Sequence, residues 1–151
     1  MAVNDLERPT AADIARGVAR LLLDLEIACL PEFTLRTGRR VDLMGLHRDG
    51  RLWAIEIKSS REDFLTDRKW RDYLGFADRF LFAVAPGFPL DLLPAEEGLI
   101  LADRHEAHLA RPAQERPLAP ARRKALTLRF ARTAAMRLQG LADPIAEEGS
   151  W

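Results

Sequence analysis

The stretch that most restricts what this 151-residue chain can fold into is Arg40 to Lys58, two apolar runs separated by Arg48-Asp49-Gly50. Gly50 suits the left-handed last position of a three-residue hairpin loop, so Arg40 to His47 and Arg51 to Lys58 are expected to pair as antiparallel strands. With His47 opposite Arg51, counting back sets Asp42 opposite Glu56, and the alternation of a strand puts Lys58 on the same face. Met44, Leu46, Leu52 and Ala54 share that face, while Leu43, Trp53, Ile55 and Ile57 line the other. A hairpin apolar on both sides belongs inside a sheet, with helices packed against it.

The flanking patterns complete an α/β order. Thr10 to about Cys29 reads as a helix, opened by a Thr10/Asp13 capping box, carrying Ile14, Val18, Leu21, Leu22 and Leu25 as one stripe, and ended by Pro31. Glu32 to Arg36 is expected to be a short strand, followed by a Thr37-Gly38 turn. Ser60 to Phe76 predicts a helix in one or two pieces, and Arg79 to Ala85 a buried strand stopped by Pro86-Gly87. Leu99 to Ala102 and His108 to Arg111 are short strand candidates, and about Ala121 to Leu138 a last helix. The expectation is one domain over residues 10–140 built on a mixed sheet, between an N-terminal segment 1–9 and a C-terminal tail 141–151.

Composition narrows the function classes. Hydrophobic residues at 48% and charged residues at 30% describe a globular chain. No apolar run nears the roughly 20 residues of a membrane span. The first residues lack the basic start and apolar core of a signal peptide, so the cytoplasm is the expected location. Cys29 is the only cysteine, which excludes an intrachain disulfide and a multi-thiolate zinc site. With 23 basic and 23 acidic residues the net charge is zero, so any attraction to nucleic acid must be local. Arg116 to Ala142 holds seven basic residues and no acid, whereas the first 32 residues hold six acids against three arginines. On the last helix Leu126, Phe130, Ala134, Leu138 and Leu141 gather on one side. Arg122, Arg129 and Arg132 lie largely on the other, placed to meet DNA phosphates or, alternatively, to pair with the acidic N-terminal third.

The hairpin also carries chemistry. Two carboxylates facing each other in a sheet interior repel, and burying them unpaired costs several kcal/mol. A divalent cation removes both difficulties, and oxygen ligands favour Mg2+ or Mn2+. Asp42 and Glu56 are the expected ligands, with Lys58 orienting an attacking water or meeting developing charge. The alternative is a solvated strand end where the three residues form a surface pair. Lys58 is one of only three lysines beside 20 arginines, so a compact point charge is kept there. His47, His105 and His108 form no ligand set, Ser59-Ser60 completes no hydrolase triad, and no Gly-rich phosphate loop is present.

Arg39-Arg40-Val41-Asp42, Ala54-Ile55-Glu56-Ile57-Lys58-Ser59-Ser60, Asp67-Arg68-Lys69-Trp70, Arg79 to Ala85 and Ala121 to Phe130 together resemble the MmcB-like DNA repair family. The likeness runs over about residues 10 to 140 and implies a PD-(D/E)XK, restriction-endonuclease-like α/β fold: a central mixed sheet, flanked by helices, with a hairpin at the active site. By that resemblance Asp42, Glu56 and the Ile57 carbonyl hold the metal, although Val41 stands where the superfamily has its first proline. Relatives add an acid from the first helix. Asp13 matches it by place, and Glu32 competes from the first strand. Lys69 and Tyr73, four apart on the expected second helix, resemble pairs that touch substrate phosphate; otherwise Tyr73 is core and Lys69 a solvated partner of Asp72 or Asp63. The resemblance implies a Mg2+- or Mn2+-dependent deoxyribonuclease that meets DNA and other repair proteins and no membrane. The alternative is a non-catalytic DNA-binding or scaffold protein of repair on the same fold.

Overall fold

Thr10 opens the first helix in the computed structural model, which describes residues 8–144. Its hydroxyl accepts the Asp13 N–H at 3.1 Å while the Asp13 carboxylate accepts the Thr10 N–H at 2.9 Å, so two otherwise orphaned donors are satisfied reciprocally. The helix, α1 (Ala11–Asp24), buries Ile14, Val18 and Leu22. It ends earlier than its apolar stripe suggests. Leu25 N–H bonds back to Leu21 and Leu22, Glu26 turns the chain at φ 60, and the strand β1 (Ile27–Thr34) follows. Pro31 therefore sits inside a strand. β1 is the edge of the sheet, where a missing N–H is tolerated.

β1 pairs antiparallel with β2 (Arg40–His47), and β2 with β3 (Leu52–Lys58), across the expected loop: His47 N–H donates to the Arg51 carbonyl at 2.9 Å, and Gly50 has φ 91. Next come β4 (Arg79–Val84) and β5 (Gly98–Ala102), each parallel to its predecessor, and then β6 (Ala107–Arg111), antiparallel to β5. The result is one six-stranded mixed sheet in chain order, with β3 and β4 at its centre. On one face α1 meets a core of Leu43, Ile55, Ile57, Leu81 and Ile100. On the other lie α2 (Arg61–Thr66) and a 3-10 segment, Trp70–Phe76. There Trp70 stacks on Phe80 with centroids 5.6 Å apart, and Phe64 and Trp70 meet Phe82 edge-on. The Ser60–Phe76 stretch is thus two pieces, broken at Asp67, whose extended backbone ends α2.

These elements make one compact unit, through Leu118; a second begins at Ala119 and consists of α3 (Pro120–Ala142). Along α3 Leu126 and Phe130 are buried, whereas Leu138 and Leu141 are 68% and 81% exposed. Most of the expected terminal segments, residues 1–7 and 145–151, lies outside the described residues. Among the described residues no helix is long and apolar enough to cross a membrane.

One buried acid fastens the first unit to its last residues. Asp78 accepts the Leu52 N–H at 2.8 Å with one carboxylate oxygen and the Leu118 N–H at 3.0 Å with the other. Asp78→Ala leaves two buried donors unsatisfied, each worth about 1–3 kcal/mol. Urea unfolding should show a loss of about 2–5 kcal/mol, and a loss below about 1 kcal/mol would mean that water replaces the carboxylate.

Candidate metal centre

The backbone ladder between β2 and β3 stops at Leu43 and Ile55. Beyond it the strands are joined through side chains. Glu56 Oε1 accepts the Asp42 N–H at 3.1 Å, and Asp42 Oδ2 accepts the Ile57 N–H at 2.8 Å. Each acid therefore caps a backbone donor of the opposite strand just where the ladder ends, which brings the two carboxylates together at the fork. Strand parity puts Lys58 on the same face. Glu56 is only 5% exposed, Lys58 4%, and Asp42 is half-buried, so the alternative of a solvated strand end does not hold.

Burial sets the electrostatics. It pushes the Glu56 carboxyl up to about 8, with the neighbouring Asp42 adding to the shift and the Asp42 N–H and Lys58 opposing it. Asp42 is also raised, chiefly by burial, against the pull of the Ile57 N–H and Lys58. Near neutral pH the metal-free pair resists carrying two charges. The Lys58 ammonium is held by a different acid: its Nζ lies 2.6 Å from Asp67 Oδ2 and 3.9 Å from Asp63 Oδ1. Burial alone would raise Asp67, but the Lys58 hydrogen bond and the Lys69 N–H, which donates to Oδ1 at 2.7 Å, hold it below its ordinary value. Tyr73 closes the neighbourhood. Its hydroxyl donates to the Arg40 carbonyl at 3.0 Å, and burial, then Glu56 and Asp42, push its pKa up to about 12.

The remaining expected residues divide. Ile57 lies between Glu56 and Lys58 on β3, its N–H taken by Asp42. Asp13 is committed to the α1 capping box and lies 3.7 Å from Arg104. Glu32 falls level with Asp42 by register, between the pairs Pro31–Leu43 and Phe33–Val41, yet its carboxylate reaches Arg40 at 4.0 Å. Lys69 and Tyr73 do not share a face. A 3-10 turn has about three residues, which puts positions four apart about 120° from each other. Lys69 is exposed and Tyr73 buried. On α3, Arg129 and Arg132 are exposed and Arg122 half-buried. Asp67 was not singled out from sequence. The signal was there: a lysine on a buried strand needs an acid within reach, and α2 supplies Asp63 and Asp67 four apart.

Among the described residues no group of three or more His, Cys, Asp or Glu is arranged to hold a metal ion. The two-carboxylate set still fits Mg2+, which keeps most of its waters and leans on one or two carboxylates plus substrate phosphate. Both acids are hard oxygen donors, and their burial makes a cation's charge welcome.

Glu56 should mark the pH dependence of the metal-free protein. Its folded pKa is raised, so the stabilisation is complete below the unfolded value of 4.5 and is lost as pH rises toward about 8. In EDTA, unfolding free energy should fall over that window by up to about 1.4 kcal/mol per pH unit. Glu56→Gln should flatten most of this slope and leave the variant more stable than wild type at pH 8. Parallel wild-type and variant curves would show that Glu56 titrates normally.

Comparison with known proteins adds lineage. No curated protein matches the chain. A solved structure, the SPO1766 protein of unknown function from Silicibacter pomeroyi, is 47% identical with a TM-score of 0.85, covering 100% of this chain and 98% of its own. The family model described as DNA repair protein MmcB-like matches residues 2–145, nearly the whole length. The chain belongs to the MmcB-like family of DNA repair proteins.

Proposed function

We propose that this protein is a Mg2+- or Mn2+-dependent deoxyribonuclease of restriction-endonuclease-like fold, acting on DNA phosphodiesters during repair. The observation that carries the reading is the meeting of half-buried Asp42 and buried Glu56 at the strand fork, with Lys58 buried on the same face. Asp42 and Glu56 would hold the cation, with the Ile57 carbonyl as a third protein oxygen. A divalent ion held there would polarise a phosphodiester and lower the pKa of a water. Lys58 supplies positive charge beside them, suited to orient an attacking water or to meet the charge that develops on the phosphate. Lys69, exposed beside Asp67, is the proposed phosphate contact. Tyr73 contributes burial, since its hydroxyl is already given to Arg40. Membership in a DNA repair family supports DNA as the substrate class.

A non-catalytic DNA-binding protein is the second reading, and α3 favours it: the helix carries six basic residues and no acid. Either reading uses Arg122, Arg129 and Arg132 as phosphate contacts. Purified protein with Mg2+ or Mn2+ should cleave at least one of single-stranded, nicked, flapped or branched DNA, and Asp42→Ala should lose at least about a hundredfold of that rate. Binding of DNA without cleavage would select the second reading. Mg2+ should also raise the melting temperature, by mass action on the folded state, and Asp42→Asn should abolish the gain. An equal gain in both would put the metal elsewhere. Replacing Arg122, Arg129 and Arg132 by Gln should flatten the slope of log K against log salt by roughly two units and weaken unrelated sequences alike. Unchanged affinity with lowered thermal stability would assign the arginines to internal ion pairs.

A further inference from the structure

Lys58 shares its strand face with Glu56 and Asp42; Lys58 and Glu56 are buried and Asp42 is half-buried. A buried ammonium beside a buried and a half-buried carboxylate would ordinarily pair with them, because each is costly to leave alone. It does not pair with them here. Its Nζ is 2.6 Å from Asp67 Oδ2 and 3.9 Å from Asp63 Oδ1. Asp67 itself is fixed. It ends α2, its side chain is 12% exposed, and its second oxygen accepts the Lys69 N–H at 2.7 Å. The other end of α2 is tied down as well. Asp63 Oδ2 accepts the Ser59 N–H at 3.1 Å, and Ser60 Oγ accepts the Asp63 N–H at 3.0 Å. α2 is thus fastened to the end of β3 at both of its own ends, with Asp67 presented to Lys58.

We infer that Asp67 is a positioning residue that holds the Lys58 ammonium away from Asp42 and Glu56, keeping those two carboxylates available to a divalent cation. Without Asp67 the ammonium is left with Asp63, 3.9 Å away, and with the fork, where it would take the place the cation would fill. The inference rests on the reading of Asp42 and Glu56 as the metal ligands, and it gives Asp67 a role in metal affinity although it is not itself a ligand. Lys58 then has two duties separated in space: its charge serves the site, and its tether keeps that charge from blocking the site.

Mn2+ binding, followed by electron paramagnetic resonance or calorimetry, tests this without recourse to activity. Asp67→Asn preserves size, and circular dichroism and a melting curve confirm that it folds. The variant should bind Mn2+ about tenfold more weakly than wild type or worse, the range found when a supporting partner of a metal ligand is removed. The decisive variant is Lys58→Met combined with Asp67→Asn. With the ammonium gone nothing competes for the fork, so affinity should return to within about threefold of Lys58→Met alone, whereas cleavage should not return. If Asp67→Asn leaves affinity unchanged, the tether has no such role. If the double variant stays as weak as Asp67→Asn, Asp67 is a ligand and the inference is wrong. Wild type that binds no Mn2+ would remove the metal reading itself, and the inference with it.

Discussion

Two acids that share one buried fork between strands set the terms for everything around them. Asp42 and Glu56 each accept a backbone N–H of the opposite strand, so the hydrogen bonds that end the β2–β3 ladder also bring the carboxylates together. Burial raises the pKa of both groups, and the charge of Asp42 raises Glu56 further, so the doubly charged state is unfavourable. A fold that only needed to end a ladder would do so with backbone groups or water, at lower electrostatic cost. The rest of the first unit serves this position: α1 fills one face of the sheet, and α2 with its 3-10 continuation shelters the other.

Much of this was legible before any coordinates. The hairpin was legible because Gly50 sets its loop and a strand's side chains alternate strictly; once His47 meets Arg51, the partner of Asp42 follows by counting. The centre of the sheet was legible from Phe80 to Val84, an unbroken apolar run. The end of α1 was not. Leu25, Cys29 and Leu30 continue a plausible helical stripe, and only the left-handed turn at Glu26, an unusual conformation for that residue, diverts them into β1. The pairing of Lys69 with Tyr73 failed for a related reason. It assumed 3.6 residues per turn where the chain adopts the tighter 3-10 form after Asp67.

The proposed site was half legible. Asp42, Glu56 and Lys58 came from strand parity, which is a local property. Asp67 came from none of the periodicities, because its place depends on where α2 stops and on which way the chain leaves it. Charge is the signal that points to it: a lysine on the central strand must be paired, and Asp67, at the end of α2, lies within reach. Of the two further acids weighed for the site, Asp13 caps α1 and Glu32 lies 4.0 Å from Arg40. The site as proposed has two carboxylates at the fork, to which the Ile57 carbonyl and the substrate's own phosphate would add oxygens.

Whether the fork binds a divalent cation decides the account, and anomalous diffraction from crystals soaked in Mn2+ answers it directly. One strong anomalous peak is expected within coordination distance of both Asp42 and Glu56 carboxylates, about 2.0–2.2 Å from the liganding oxygens, with Lys58 still on Asp67. An empty fork at saturating Mn2+, or a peak that touches neither carboxylate, would contradict it.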